Sequence, residues 1–263
     1  KRPLAPKTVY EVHLIVRGAL DHAVRRGLVT RNVALSANAP RLRSIPKVEQ
    51  KAWTAQELQA FLRTAAGHRL FPALWLAAMT GVRRSELLGL RWRDLDFENA
   101  RLSINRGLVA VGYELHESRG KTDNSRRNID IDDTTLDVLA GWQAMQSAEC
   151  HAVSRDEPQY MFTSVSGDPV HPHAISQTFG RIVRRAGVPA IRLHDLRHTH
   201  GSLLIAAGVP AKVVPERLGH ANFVFTVETY QHVLPGMQID AARVIEALIA
   251  EGAPANPTLR EAG

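Results

Sequence analysis

The chain of 263 residues holds a single cysteine, Cys150, so no disulfide can form within it, and a reducing compartment is expected. Long hydrophobic runs are also missing. The longest, Leu70 to Met79, is too short to cross a bilayer and is interrupted by Pro72, so a cytoplasmic protein without a membrane partner is expected. His-Glu-x-x-His is absent, and no cysteine or carboxylate completes a zinc pattern around the histidines. Internal repeats and low-complexity tracts are absent too. No secretory signal is evident, and Lys1 stands where an initiator Met would, so a fragment or processed chain with a missing N-terminal segment is expected.

What is present is ordinary in bulk and uneven in charge. Hydrophobic residues make up 44% and charged residues 22%, enough to bury a large core in one domain or two. The net charge is +7, but residues 1–47 carry ten Lys/Arg against two acids, leaving a net of −1 for the remainder. A basic excess confined to one end favours a polyanionic partner, most commonly nucleic acid, although a solvated basic surface explains charge alone equally well.

Apolar residues at Val9, Val12, Ile15, Val16, Leu20, Ala23 and Val24 have helical spacing over Thr8 to Arg26, with Gly27 as a stop. Leu35 to Val48 holds Pro40 and Pro46 among Arg41, Arg43 and Lys47 and reads as a basic linker, its cations being candidate DNA contacts. Thr54 with Glu57 three residues on forms a capping-box pattern that restarts order, so the expected division is 1–47 and 48–263. Helices are expected over Thr54 to Ala66, Phe71 to Met79, a short stretch after Arg83, Thr134 to Ala148, Ala174 to Ala186 and His194 to Ala207. Pro210 to Leu218, Phe223 to Gln231 and Gln238 to Ala250 extend that helical half, with a loose tail after Gly252. Arg101 to Asn105, Leu108 to Leu115 and Arg126 to Ile131 are β-rich and predict one small antiparallel sheet. The fold class is therefore mainly α with a small antiparallel β-sheet (α+β).

Chemistry concentrates in four places. His194 and Arg197 are spaced i, i+3 at a helix start and share a face. Arginine offers a planar fork matched to phosphate oxygens, and histidine exchanges protons near neutrality. Taken alone, this pair is better explained as a helix turn with a surface arginine. His198 and His200 read as packing or hydrogen-bonding residues rather than metal ligands. Arg83 follows the Thr80-Gly81 turn, and Glu86 lies three residues on, so an ion pair explains it as well as ligand binding does. With Arg197, it could complete a two-guanidinium clamp for the charge of an in-line phosphoryl transfer, which removes the need for a divalent metal. Lys121 sits at an expected hairpin tip with Gly120, Asp123 and Asn124. There it is either solvated or placed to protonate a departing sugar oxygen. Arg126 and Arg127 alternate across a strand, so one of the two is expected to face DNA. Tyr230 follows Leu218-Gly219-His220 by ten residues from the histidine. Its hydroxyl, with an ordinary pKa near 10, needs cationic surroundings to become a nucleophile. Tyr10, Tyr113 and Tyr160 occupy patterned positions and read as packing residues.

Together these motifs resemble the tyrosine recombinase (phage integrase) family over about Trp53 to Val233. Thr-Gly-Val-Arg-Arg-Ser-Glu-Leu at 80–87 is similar to the first arginine box, and Gly-Lys-Thr with Ser-Arg-Arg at 120–127 to the lysine hairpin. His-Asp-Leu-Arg-His-Thr-His at 194–200 is similar to the second box, and Leu-Gly-His with Thr-Tyr at 218–230 to the final histidine and nucleophile. The resemblance implies that Tyr230 attacks the scissile phosphorus to leave a 3′-phosphotyrosyl link and a free 5′-hydroxyl. Arg83 and Arg197 would clamp the phosphate, His220 donate to it, Lys121 protonate the leaving oxygen and His194 assist proton transfer, with Glu86 orienting the first box. It implies no cofactor, double-stranded DNA as partner, a homotetramer passing through a Holliday junction, nucleoid association, and an excision or DNA-bending accessory factor. Residues 1–47 are similar to the later part of the family's helical core-binding domain. Pro215 departs from the usual polar residue and, if it kinks its helix, would disturb His220. The amphipathic stretch Gln238 to Ala250 would pack either on its own domain or on a neighbouring protomer. Two other readings remain at this point: a sequence-specific DNA-binding protein without strand transfer, and a relaxing topoisomerase with similar chemistry.

Overall fold

The computed structural model describes residues 3–40, 51–118, 126–210 and 212–219. The chain divides into two compact units, Lys1–Glu49 and Gln50–Gly263. In the first, helix α1 (Pro6–Arg25) starts with proline in its first turn, where the missing N–H is no loss. It ends in a Schellman arrangement: Leu28 N–H reaches Ala23 O at 2.9 Å, Gly27 N–H reaches Val24 O at 2.9 Å, and Gly27 takes φ +69. The α1 stripe that gives the helix its sequence signature is not buried, and Ile15 is 71% exposed. Asn32 fastens a following 3-10 turn (Val33–Ser36) to α1 by donating to Arg17 O at 2.9 Å and Asp21 Oδ1 at 2.6 Å.

The second unit is built around a helix that is apolar on every side. Helix α2 (Ala55–Ala65) is opened by the capping box, Thr54 Oγ1 accepting from Glu57 N at 3.2 Å while Glu57 Oε2 accepts from Thr54 N at 2.8 Å. It buries Leu58, Phe61, Leu62 and Ala65, one face at helical spacing. Helix α3 (Phe71–Thr80) is the apolar run itself. Ala73, Leu74, Leu76, Ala77, Ala78 and Thr80 are all buried, so its uniform hydrophobicity marks a core helix, packed against α2 and later helices. Helix α4 (Arg84–Gly89) follows after a tight turn.

Among the described residues the strands form two sheets rather than one. β1 (Leu95–Asp96), β2 (Arg101–Ile104) and β5 (Arg127–Asp130) make an antiparallel sheet in the order β1-β2-β5, while β3 (Gly107–Val111) and β4 (Glu114–Ser118) pair only with each other. The stretch expected as one strand, Leu108 to Leu115, reverses at Gly112 (φ +63) and becomes the β3–β4 hairpin. Tyr113 sits at that tip and is 96% exposed, so it is not the packing residue that alternation predicts. The strands flanking Lys121, β4 and β5, lie in different sheets among the described residues and do not pair as the two arms of a hairpin. Leu102 faces Ile129 in register, both buried, and the next pair, Arg101 and Asp130, bonds at 3.0 Å on the exposed side.

Helix α5 (Asp133–Ala152) packs on α3, and α6 (Pro172–Ala186) packs on α2. Trp53, Phe61 and Phe179 close that corner with ring centroids 5.0 to 5.9 Å apart. Helix α7 (Asp195–Ala206) packs on α3, and α8 (Val213–Leu218) packs on α7 and β5. Pro215 falls in the first turn of α8, where an amide has no intrahelical acceptor, so proline gives no cause for a kink there. The helices expected over Phe223 to Gln231 and Gln238 to Ala250, and the basic linker residues Arg41, Arg43 and Lys47, lie outside the described residues. No described helix is long and apolar enough to cross a membrane.

Candidate active site

Two left-handed glycines frame the site. Gly81 (φ +64) ends α3, its N–H donating to Ala77 O at 3.0 Å. A Cβ there would lie 2.6 Å from Leu218 Cδ2 and 3.0 Å from the His200 ring, so only glycine lets α3, α7 and α8 meet this closely. Gly219 (φ +66) ends α8 in the same way.

Arg83 stands just before α4 in extended backbone (φ −68, ψ 150). Its N–H donates to Glu86 Oε2 at 2.9 Å, and its guanidinium to Glu86 Oε1 at 2.6 Å and Gly219 O at 2.9 Å. Glu86 also takes both terminal nitrogens of Arg127, at 3.2 and 2.9 Å. Burial by itself would raise the Glu86 pKa. The Arg127 hydrogen bonds and charge, followed by those of Arg83, outweigh it and hold the carboxyl below its usual range.

Helix α7 is polar yet buried from Asp195 through Ser202. Arg197 is 2% exposed and donates to Gly81 O at 2.9 Å and to Leu218 O. It therefore grips both glycine-framed turns at once. Asp195, buried, holds Arg192 through two guanidinium bonds of 3.1 and 2.9 Å and a backbone bond of 2.8 Å. His200 meets Ala78 O at Nδ1 (3.0 Å) and Arg217 Nε at Nε2 (3.3 Å). Donation from Arg217 requires a lone pair on Nε2, so the proton resides on Nδ1. Burial, then the Arg217 charge, pushes its pKa down to about 4, and burial with neighbouring His194 pushes His198 to about 4. The His194 and His198 rings meet edge to face at 5.5 Å. Desolvation, then the Arg197 charge, lowers the His194 pKa, so its imidazole is neutral at pH 7.

His194 is exposed and, with Arg83, Arg84, Ser176, Ile191 and Arg192, borders an open cleft of about 820 Å³. The structure thus brings Arg83, Glu86, His194 and Arg197 into one neighbourhood although 114 positions separate the first from the last. Lys121, His220 and Tyr230 lie outside the described residues; the described chain runs up to Gly219, one residue before His220. Arg126 is exposed. Arg127 is the inward member of that pair: its side chain is only 7% exposed and its guanidinium is engaged by Glu86 and by Arg217 O. Arg217 carries no motif signal at all. It bolts α8 down through Asp130 O at 3.1 Å and Met79 O at 3.2 Å, contacts that single-sequence spacing does not reveal. Among the described residues no group of three His, Cys, Asp or Glu is placed to hold a metal ion.

A family model described as the phage integrase family matches residues 51–236. The chain is 29% identical over 260 residues to a tyrosine recombinase XerC-like protein of Caldanaerobacter subterraneus subsp. tengcongensis, covering 92% of this chain and 66% of that protein. It is 26% identical over 250 residues to the ICEBs1 integrase of Bacillus subtilis, covering 94% of this chain and 67% of the relative. The chain therefore spans about two thirds of the length of these curated relatives. In fold it is similar to the Tn1549 transposon integrase, solved in complex with transposon right end DNA (TM-score 0.74, 22% identity, 94% of this chain and 80% of that one). It is also similar to a lambda integrase solved as a tetramer bound to a Holliday junction (TM-score 0.62, 18% identity, 84% of this chain and 58% of that one).

Proposed function

The chain belongs to the phage integrase family of tyrosine recombinases, and from that premise we propose that it is a site-specific DNA recombinase that integrates or excises a mobile element. One observation carries the reading: Arg83 and Arg197, distant in sequence, converge on the carbonyls of Gly219 and Leu218, the two residues immediately before His220. The convergence places two guanidinium groups beside the chain that leads into His220, where a phosphate clamp needs them.

In the proposed reaction the Tyr230 oxygen attacks the scissile phosphorus in line. The tyrosyl O–P bond forms, the P–O5′ bond breaks, and the 3′ end stays on the protein. Lys121 gives a proton to the departing 5′-oxygen. His194 would assist proton transfer; burial and then the Arg197 charge favour its neutral imidazole, which leaves a ring nitrogen free to accept a proton. Arg83 and Arg197 neutralise the charge on the non-bridging oxygens, and His220 donates to one of them. Glu86 holds Arg83 in place for this. The covalent link conserves the phosphodiester bond energy, so a 5′-hydroxyl from a second duplex reverses the step and rejoins the strand without a cofactor. Double-stranded DNA would run along the cleft, with Arg84 and Arg192 beside phosphates that flank the cut. Exposed Arg126 and the linker cations Arg41, Arg43 and Lys47 would add further backbone contacts. Two pairs of strands exchanged in sequence require four copies on the DNA, acting in the cytoplasm at the nucleoid, with an excision or DNA-bending factor setting direction.

The test uses nicked duplexes that span the ends of the source element, incubated with protein and no divalent metal, then denatured in detergent. A DNA-linked protein band in the wild type that disappears in Tyr230→Phe, with DNA binding retained, is the expected result. A band that persists in Tyr230→Phe, or binding with no band at all, overturns the reading. Relaxation of plasmids lacking any element end would favour the topoisomerase alternative.

A further inference from the structure

At the end of α8 the two clamp arginines are joined by a third, Arg127, which the proposed chemistry does not use. When a helix stops, its last carbonyls lose their intrahelical acceptor role and must find other donors. Here three consecutive carbonyls each receive an arginine from a different element. Arg217 O accepts from Arg127 Nε of β5 at 2.8 Å, Leu218 O from Arg197 of α7, and Gly219 O from Arg83, ahead of α4, at 2.9 Å. Two of those three arginines are further tied by one carboxylate, since Glu86 binds Arg83 at 2.6 Å and Arg127 at 3.2 and 2.9 Å. Arg127 turns all three guanidinium nitrogens inward, and the chain at Gly219 runs so close that a Cβ would stand 2.8 Å from its Nη1.

We infer that Arg127 is a positioning residue for strand cleavage, aiming Arg83 through Glu86 and the chain entering His220 through the Arg217 carbonyl, and that it does not touch DNA; the inference rests on the recombinase reading above. The geometry requires a planar fork. The terminal edge of the guanidinium spans both carboxylate oxygens while Nε reaches a carbonyl from another edge, which a lysine ammonium cannot do at once. Without Arg127 the carboxylate faces Arg83 alone, and only two of the three carbonyls keep an arginine donor. The Arg83 side chain, 35% exposed, then has freedom that a phosphate clamp does not tolerate.

The experiment compares full-chain wild type, Arg127→Gln and Arg127→Lys in single-turnover adduct formation on a nicked duplex across pH, alongside DNA affinity, thermal unfolding and amide exchange at Gly219. Arg127→Gln is expected to slow adduct formation ~100-fold at unchanged DNA affinity. Its rate is expected to fall off in acid at a higher pH than the wild type, because Glu86 has lost the larger of its two positive neighbours and only Arg83 still faces it. Arg127→Lys is expected to keep the acid limb near that of the wild type while recovering only part of the rate. A residue needed only for folding would lower the active fraction and leave both the rate constant and the acid limb in place. Folded variants with wild-type rate and acid limb overturn the inference. So does weaker DNA binding with a shallower salt dependence, which would make Arg127 a phosphate contact. If the wild type itself forms no adduct, the recombinase reading fails. Exchange at the Gly219 amide, bonded to Glu216 O at 3.1 Å, then decides separately whether Arg127 positions the end of α8: faster in Arg127→Gln supports that role, unchanged refutes it.

Discussion

Replacing Glu86 with glutamine removes one negative charge from between two guanidinium groups while keeping the side chain's shape. The Glu86–Arg127 pair has side chains only 9% and 7% exposed, and breaking a buried pair from one side costs about 3–5 kcal/mol because the other charge is left uncompensated. The Arg83 side of the cluster is 35% exposed, so water screens it and its share is about 1 kcal/mol or less. For a domain of this size about 4 kcal/mol corresponds to a melting point lower by about 8–16 °C. The pH dependence supplies a second constraint. The folded carboxyl has a pKa below its ordinary 4.5, so its stabilisation is complete above that value and is lost as pH falls through the folded one. The deficit of Glu86→Gln should therefore be full at pH 7 and shrink in acid. Calorimetry of both proteins over that range measures it. A shift of less than about 2 °C at neutral pH, or a deficit that does not shrink in acid, refutes the assignment of this stability to the shared carboxylate.

Other outcomes follow from the same geometry. Gly81→Ala places a Cβ 2.6 Å from Leu218 Cδ2 at φ +64 and should destabilise the domain by about 1–3 kcal/mol in urea titrations. His198 and His200, each held to about 4 against 6.5 when unfolded, favour the folded state only while neutral. Their contribution is full above pH 6.5 and falls as the unfolded chain takes up protons, by about 2 kcal/mol for each histidine on reaching pH 5. Denaturant unfolding at the two pH values checks this, and His200→Phe should flatten part of it. Arg84→Gln and Arg192→Gln should each lower the slope of log affinity for DNA against log salt by about one, equally for all sequences.

The parts of the fold that local rules govern are legible in the sequence. The Thr54–Glu57 capping box, the Gly27 stop and the apolar run that became α3 each depend on neighbours within a turn or two. The strands were less legible because pairing is set at a distance. Alternation alone cannot reveal that Gly112 divides Leu108 to Leu115 or that β5 joins β2 rather than β4. The same contrast holds at the site. Arg83, His194 and Arg197 stand in motifs with recognisable neighbours, whereas Arg217 and the inward role of Arg127 exist only through carbonyls contributed by other elements. A lone arginine near a helix end reads as a solvated charge, and nothing nearby in the chain contradicts that reading.

The most direct test of the central claim identifies the atom that carries the DNA. Adduct formed on a nicked duplex without metal is digested with protease and nuclease, and the nucleotide-bearing peptide is sequenced by mass spectrometry. A peptide linked through the oxygen of Tyr230 to a 3′-phosphate, with a free 5′-hydroxyl on the released strand, is the expected result. Linkage through another residue, linkage to a 5′-phosphate, or cleavage that leaves no linked peptide would contradict it.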